Sequence, residues 1–356
     1  MEFEWNKYKL TTKLKFDSPD EYILILSDQE KILITYKSSI LIFNIKSLKK
    51  EGEINFDNIK KYENLYLLKS GLISICSKNT IILIELNKDN TYKIFQRIEF
   101  PEIEEEQDFK QLIELKNSNL CIISKKNIYI YSLDNNIKNY KNIFTLMENC
   151  IKHKTNIAYN ESCIELIYPE KNIENRIAVY LSNVSLLSFW DLNKRKKINN
   201  TKDNYCNTFD CKDMFCLMEK GKYLLCACID EAIKFYSTET CNHIKTLYDN
   251  YWHISVLKLS EKQILSGGDF GDITLYEFDF SHDLFKNGEP YLSMEDTKKV
   301  EKKVYNDISK DFQEKSCKLL GHEKAINEIR KYGETIISTS CYEENESSFV
   351  CFWNKE

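Results

Sequence analysis

Short apolar runs of strand length, rich in Ile, Leu, Val, Phe and Tyr, recur along the whole chain and are separated by polar, turn-forming residues. The pattern is plainest from Ser316 to Glu356, which reads SCKLLGH, AINEIRKYGE, TIISTSCYEENESS and FVCFWNKE. Its last run, Phe349-Val350-Cys351-Phe352-Trp353, ends on an aromatic, and six counterparts precede it: Ile40 to Phe43, Ile81 to Ile84, Ile128 to Tyr131, Leu187 to Trp190, Ile233 to Tyr236 and Ile273 to Tyr276. The terminal positions 43, 84, 131, 190, 236, 276 and 353 are spaced by 41, 47, 59, 46, 40 and 77 residues. Each run follows a second one, as in Lys31 to Ile34 or Tyr223 to Cys226. Before that comes a third: Tyr22 to Leu26, Asn64 to Leu68, Gln111 to Leu115, Cys163 to Ile167, Met214 to Met218, Ile254 to Leu259 and Ala325 to Ile329. Three strands per unit are therefore predicted. A fourth is legible only at Lys93 to Phe100, Asn142 to Leu146 and His243 to Leu247.

The seventh unit stops three strands in, at Glu356, while the alternating run Lys9 to Phe16 has no partners before it. This run is expected to complete the last unit as its outer strand, over residues 8–16, leaving no open sheet edge between the chain ends. The units then span roughly 21–59, 60–100, 108–150, 162–212, 213–251, 253–322 and 325–356. The long sixth interval holds residues 284–314. There Ser293 is placed to cap a helix starting at Met294, and Val300, Val304, Ile308 and Phe312 recur every four residues as one apolar stripe.

Gly321-His322 opens the last unit and Trp353-Asn354 closes it, and Trp190-Asp191 ends the fourth. The chain resembles the WD-repeat family, in which Gly-His opens a unit and Trp-Asp ends it about 30 residues later. The resemblance implies an all-β fold: a single seven-bladed β-propeller over 1–356, closed by the N-terminal strand and carrying one helical insertion in the sixth blade. It also implies a buried hydrogen-bond relay through Gly321, His322, Ser338 or Ser340, and Trp353. The relay's usual acidic member has no counterpart near the irregular turn from Glu343 to Ser348. Elsewhere Phe43, Ile84, Tyr131, Tyr236 and Tyr276 replace the tryptophan, so the motif is specific only in the fourth to seventh units. Ser266-Gly267-Gly268-Asp269 matches the family's second-strand turn, and Cys226-Ala227-Cys228-Ile229-Asp230 takes the same place in the fifth unit.

Composition agrees with sheet: 22 Tyr and 19 Phe but only 9 Gly and 4 Pro, so that Asn, Asp, Ser and Lys carry the turns. A net charge of −5 from 50 basic and 55 acidic residues supplies no field for nucleic acid or an anionic membrane. No run is long enough for a transmembrane segment and the N-terminus lacks a signal pattern, so the expected location is cytoplasmic, with the nucleus also open. The 13 cysteines are then expected as reduced, buried thiols. Cys206, Cys211 and Cys216, Cys150 with His153, and Cys241 with His243 lack the paired Cys-x-x-Cys spacing of a zinc site; neither metal nor cofactor is expected. No phosphate loop, nucleophile elbow or His-Glu-x-x-His is present, and the starts of the inner strands read as mostly apolar and uncharged.

Two features suit protein partners: the acidic connection Glu102 to Asp108, with Glu104, Glu105, Glu106 and Asp108, and the Val300, Val304, Ile308, Phe312 stripe. The basic cluster Lys194-Arg195-Lys196-Lys197 reads as a solvated loop. The expected function is a non-catalytic interaction scaffold within a multi-subunit complex, its oligomeric state open. A propeller enzyme with a central-channel site is the alternative. A phosphoinositide-binding propeller is weaker, since no Arg-Arg pair is present.

Overall fold

A strand covered on both faces reads as an unbroken apolar run, whereas a strand with one wet face alternates. The chain contains both kinds. A computed structural model describes residues 8–355 apart from 17–22, 27–28, 57–58, 60–61, 63, 78–79, 101–108, 125–126, 135–138, 148–161, 182–185, 199–213, 229–231, 249–251, 269–270, 279, 281–317, 321, 323–324 and 341–347.

The strands form seven four-stranded antiparallel sheets, each running from an inner strand at the ring's centre to an outer strand at its rim. Blade 1 is β2 (Ile23–Leu26), β3 (Lys31–Tyr36), β4 (Ser39–Asn44) and β5 (Lys50–Asn55). Blade 2 is β6 (Asn64–Leu67), β7 (Ile73–Ser77), β8 (Thr80–Leu86) and β9 (Tyr92–Glu99). Blade 3 is β10 (Phe109–Glu114), β11 (Leu120–Ser124), β12 (Asn127–Asp134) and β13 (Asn139–Met147). Blade 4 is β14 (Ser162–Tyr168), β15 (Ile173–Leu181), β16 (Leu186–Asp191) and β17 (Lys196–Lys197). Blade 5 is β18 (Phe215–Met218), β19 (Tyr223–Cys228), β20 (Ala232–Ser237) and β21 (His243–Tyr248). Blade 6 is β22 (His253–Lys258), β23 (Gln263–Gly268), β24 (Asp272–Glu277) and β25 (Lys318–Leu320). Blade 7 is β26 (Ile326–Tyr332), β27 (Thr335–Ser340), β28 (Ser348–Lys355) and, as its outer strand, β1 (Tyr8–Phe16).

The inner strands pack each on the next, from β2 through β6, β10, β14, β18 and β22 to β26, and β26 packs back on β2. The ring is closed. Every core cluster lies between two neighbouring blades. Ile32, Ile34 and Leu41 of blade 1 meet Ile337, Val350, Phe352 and Phe16 of blade 7, and Leu265, Ile273 and Leu275 of blade 6 meet Ile326, Ile329 and Trp353 of blade 7. Second and third strands are thus buried on both faces, which is why β19 and β23 are buried at every position, whereas outer β5 buries only Ile54.

In five of the seven blades the position that ends the third-strand run has a structural counterpart. Opposite Phe43, Ile84, Tyr131, Tyr236 and Trp353 the outer strand bulges by one residue, at Glu51, Phe95, Ile143, Ile244 and Thr11. The bulge bends the outer strand and adds local twist at the rim. In blade 6, β24 and β25 pair through Asp272 with Leu320, Ile273 with Leu319 and Thr274 with Lys318. The chain between them includes the expected helix over 284–314, with Val300, Val304, Ile308 and Phe312, which lies outside the described residues.

Seams this tight leave no room for a side chain at two glycines. A Cβ on Gly267 of β23 would lie 2.5 Å from Ile326 Cβ in the next blade. Gly221, in the turn after β18, has φ +90° and passes so close to blade 4 that a Cβ would lie 1.9 Å from the carbonyl oxygen of Ile167. Gly221→Ala is expected to cost about 2–4 kcal/mol through left-handed strain and the collision. The check is the urea midpoint at constant m-value; an unchanged midpoint contradicts the seam.

Candidate functional site

Blade 7 holds a buried polar network at the end of the sheet where its inner strand begins. His322 Nε2 lies 2.7 Å from Ser338 Oγ and its Nδ1 lies 2.7 Å from Ser340 Oγ. Trp353 Nε1 donates to Ser338 Oγ at 2.9 Å. A neutral imidazole has one N–H and one bare nitrogen, so the ring donates to one serine and accepts the hydroxyl hydrogen of the other. Burial, with a smaller contribution from the Lys13 charge, pushes the His322 pKa down to about 3, which keeps the ring neutral at pH 7. Both serines take part. Gly321, expected beside His322, lies outside the described residues.

Register shows how far this network extends. Trp353 pairs with Ile336, and Ser338 stands two residues on. The same step from the other third strands leads to Ile34, Ile75, Ile122, Val179, Cys226 and Ser266. Only blades 6 and 7 place a hydroxyl there. In blade 6 the ring comes from the inner strand itself: His253 Nδ1 is 2.8 Å from Ser266 Oγ, and the imidazole lies edge-on to Tyr276. In blade 4 Val179 stands at this place, and the buried Trp190 Nε1 has no hydrogen-bond partner among the described residues. The neighbouring Asp191 caps the following turn, accepting from Lys194 N–H at 2.9 Å with Lys194 Nζ 3.5 Å from its other oxygen.

The inner strands carry more polar groups than their apolar pattern promised. Glu328 and Gln111 occupy the same place, the residue after an inner-strand bulge. Each accepts the backbone N–H of the next blade's inner strand: Ile23 N–H to Glu328 at 2.9 Å, and Cys163 N–H to Gln111. The second Glu328 oxygen is paired with Arg330. Ser255 holds this place in blade 6 and is too short to reach across; its buried hydroxyl has no partner among the described residues. At the opposite end of the ring, Lys116 N–H donates to Glu165 at 2.7 Å, Lys69 N–H to Glu114, and Lys220 N–H to Glu261 at 2.5 Å, while Lys258 Nζ donates to the Leu217 carbonyl at 2.6 Å. Burial holds the Glu165 carboxyl above its ordinary range. Glu328 and Gln111 were visible in the sequence as the second members of the polar pairs Asn327-Glu328 and Lys110-Gln111 just ahead of apolar residues, but their meaning depends on the blade beside them.

Cys226 and Cys228 are fully buried on one face of β19 with their sulfurs 3.8 Å apart. Burial pushes the Cys216 thiol up to about 12 and those of Cys241 and Cys351 to about 11, so all three are protonated at neutral pH and poor metal ligands. Among the described residues no group of three or more His, Cys, Asp or Glu is placed to hold a metal ion. Cys150, His153, Cys206 and Cys211 lie outside those residues, as do Glu104, Glu105, Glu106 and Asp108. The basic cluster is not all loop, contrary to expectation. Lys196 and Lys197 form the short outer strand β17, pairing with Asp191 and Trp190, because the blade still needs a fourth strand at its rim. Arg195 stacks over Phe144 of blade 3 at 4.7 Å.

This architecture defines the chain as a seven-bladed β-propeller. No family model matches it, and no curated protein matches it. Among solved structures, a chain in the crystal structure of the mitotic checkpoint complex is similar over 99% of this chain and 96% of its own, with a TM-score of 0.66 and 13% identity. At that identity the likeness shows the fold alone. No helix among the described residues is long and apolar enough to cross a membrane.

Proposed function

We propose that this chain is a non-catalytic protein-interaction scaffold of the WD-repeat kind, working without cofactor in the cytoplasm or nucleus as one subunit of a larger assembly. The observation that carries this reading is where the inner-strand polar groups go. Glu328, Gln111, Glu114 and Glu165 hold the backbone of neighbouring blades, as does Glu261 in the turn after β22, so their oxygens serve the rigidity of the ring. A rigid ring presents loops from several blades at fixed spacing, which lowers the ordering cost of binding a partner. The histidine and tryptophan motif positions, His322 and Trp353, meeting on Ser338 in the blade 7 network, and the fold shared with a chain of a multi-protein complex, support the same reading.

The test is affinity capture with the tagged full-length chain from its own cells. Two variants run beside it: one lacking residues 284–314, which carry the Val300, Val304, Ile308, Phe312 stripe, and one with Glu104, Glu105 and Glu106 changed to Lys. A reproducible, stoichiometric protein set that either variant loses in part is the expected result. A folded chain that recovers nothing would count against the scaffold and turn attention to the central channel.

A further inference from the structure

An outer strand leaves one backbone edge open, and charged residues along it normally discourage another chain from pairing there. β1 carries Lys9, Lys13 and Lys15, and β9 carries Lys93, Arg97 and Glu99. β13 is as long as β1, nine residues, yet its sequence NYKNIFTLM holds a single charge, Lys141, and no proline. It is the last strand of its sheet, and Ile143, at its bulge, is 46% exposed. One end of this edge is already occupied. The Gln96 side-chain amide, from β9, donates to the Tyr140 carbonyl at 2.9 Å and accepts the Tyr140 N–H at 2.7 Å, the pair of bonds that an added strand would otherwise make. Among the described residues no strand pairs with the edge from Lys141 to Leu146. Beside it, the turn of blade 4 sets Arg195 over the Phe144 ring at 4.7 Å. That turn is fixed at both ends, by Lys194 N–H on Asp191 at 2.9 Å and by Ile198 N–H on the Phe189 carbonyl at 2.7 Å.

We propose that β13 takes up an extended acidic segment of a partner protein as a fifth strand of blade 3, with an Asp or Glu of that segment on Arg195 and an aliphatic side chain on Ile143. Main-chain bonds give such pairing its affinity and alternate side chains its specificity. Neighbouring strands lie about 4.8 Å apart and directly opposite residues share a face, so the residue opposite Phe144 stands within reach of the guanidinium. The planar fork of that group matches a carboxylate. Charge selects the occupant: β13 and residues 192–197 hold Lys141, Lys194, Arg195, Lys196 and Lys197 and no acidic residue. Lys194 is paired with Asp191, whereas Arg195 and Lys196 form no ion pair among the described residues. The net charge of −5 opposes an anionic membrane as a whole, while a short peptide meets only this local field. This inference deepens the scaffold reading and rests on it.

The experiment selects binders from a random dodecapeptide display library on the full-length chain, after subtraction on a variant carrying both Ile143→Ala and Arg195→Ala. Kd is then measured by fluorescence polarisation for wild type and each single variant, with peptides N-methylated at one or the other set of alternate residues. Retained peptides rich in Asp or Glu, bound about tenfold more weakly by each variant, are expected. One N-methylated set should lose binding and the other keep it, because only alternate backbone groups of an added strand face β13. A library that yields no such binder, retained peptides without Asp or Glu, equal affinities for Arg195→Ala and wild type, or binding that survives both N-methylated sets would overturn the edge. Retention on phosphatidylserine vesicles through Arg195, without peptide binding, would overturn it in favour of a lipid surface. The N-methyl comparison uses the wild-type chain alone, so it decides the question even where a variant misfolds. Partner capture decides the scaffold separately: a wild-type chain that recovers no partner defeats the scaffold whatever the peptides do, and recovered partners leave it standing where the peptides fail.

Discussion

Deletion of residues 1–17 is expected to destabilise the whole propeller by on the order of 5 kcal/mol, a large share of the 5–15 kcal/mol that typically separates folded from unfolded chains. β1 pairs with β28 along its full length, from Tyr8 opposite Lys355 to Phe16 opposite Ser348. Thr11, at the bulge, donates to the Phe352 carbonyl at 3.1 Å and accepts from Asn354 Nδ2 at 3.1 Å, and Lys13 lies 3.8 Å from the centre of the Phe349 ring. Phe16 is buried in the seam between blades 7 and 1, among Ile23, Ile34 and Val350. Without β1, that seam loses an aromatic and β28 becomes an unpaired edge open to aggregation. Thermal and urea denaturation would report the loss, and a peptide of residues 8–16 added in trans should restore part of it. A truncated chain that keeps its melting temperature would mean that the ring does not depend on this closure.

Acid should act on the same blade through His322. Its folded-state pKa, about 3, is depressed below the ordinary 6.5 by burial. The unfolded chain therefore binds the proton first, and the contribution is fully present above pH 6.5 and lost progressively as pH falls toward 3. The slope is about 1.4 kcal/mol per pH unit well below 6.5, so on the order of 2–3 kcal/mol should be lost by pH 4.5. Carboxylates add their own pH dependence, and comparison with His322→Gln isolates the histidine. That variant is expected to be about 1–2 kcal/mol less stable at pH 7, where it loses the paired serines, yet to decline less between pH 6.5 and 4.5. Parallel pH profiles for the two proteins would show that the imidazole is not held neutral by burial.

Much of this fold was legible because the second and third strands of each blade have two dry faces. Runs such as Ile81 to Ile84 and Tyr223 to Cys226 are buried throughout, and a double-sided requirement leaves an unbroken apolar signal. The rim was legible only at β1, β9, β13 and β21, and elsewhere was not, for the opposite reason. β5 reads KEGEIN and β17 is only Lys196–Lys197, because a strand with one wet face needs few apolar residues to hold its place. For the blade 7 network, Gly321-His322 and Trp353 marked the place, but which serine joined it depended on strand register, and register brought both Ser338 and Ser340 to the ring.

Local composition and period thus determined the number of blades, the positions of their inner three strands and the strand that closes the ring, since each follows from which residues must leave water. What joins one blade to the next was decided only by the tertiary structure. Glu328 meets Ile23 across 305 residues and Gln111 meets Cys163 across 52. A side chain's chemistry is written in its own position, but its partner is set by how separate blades come to lie side by side.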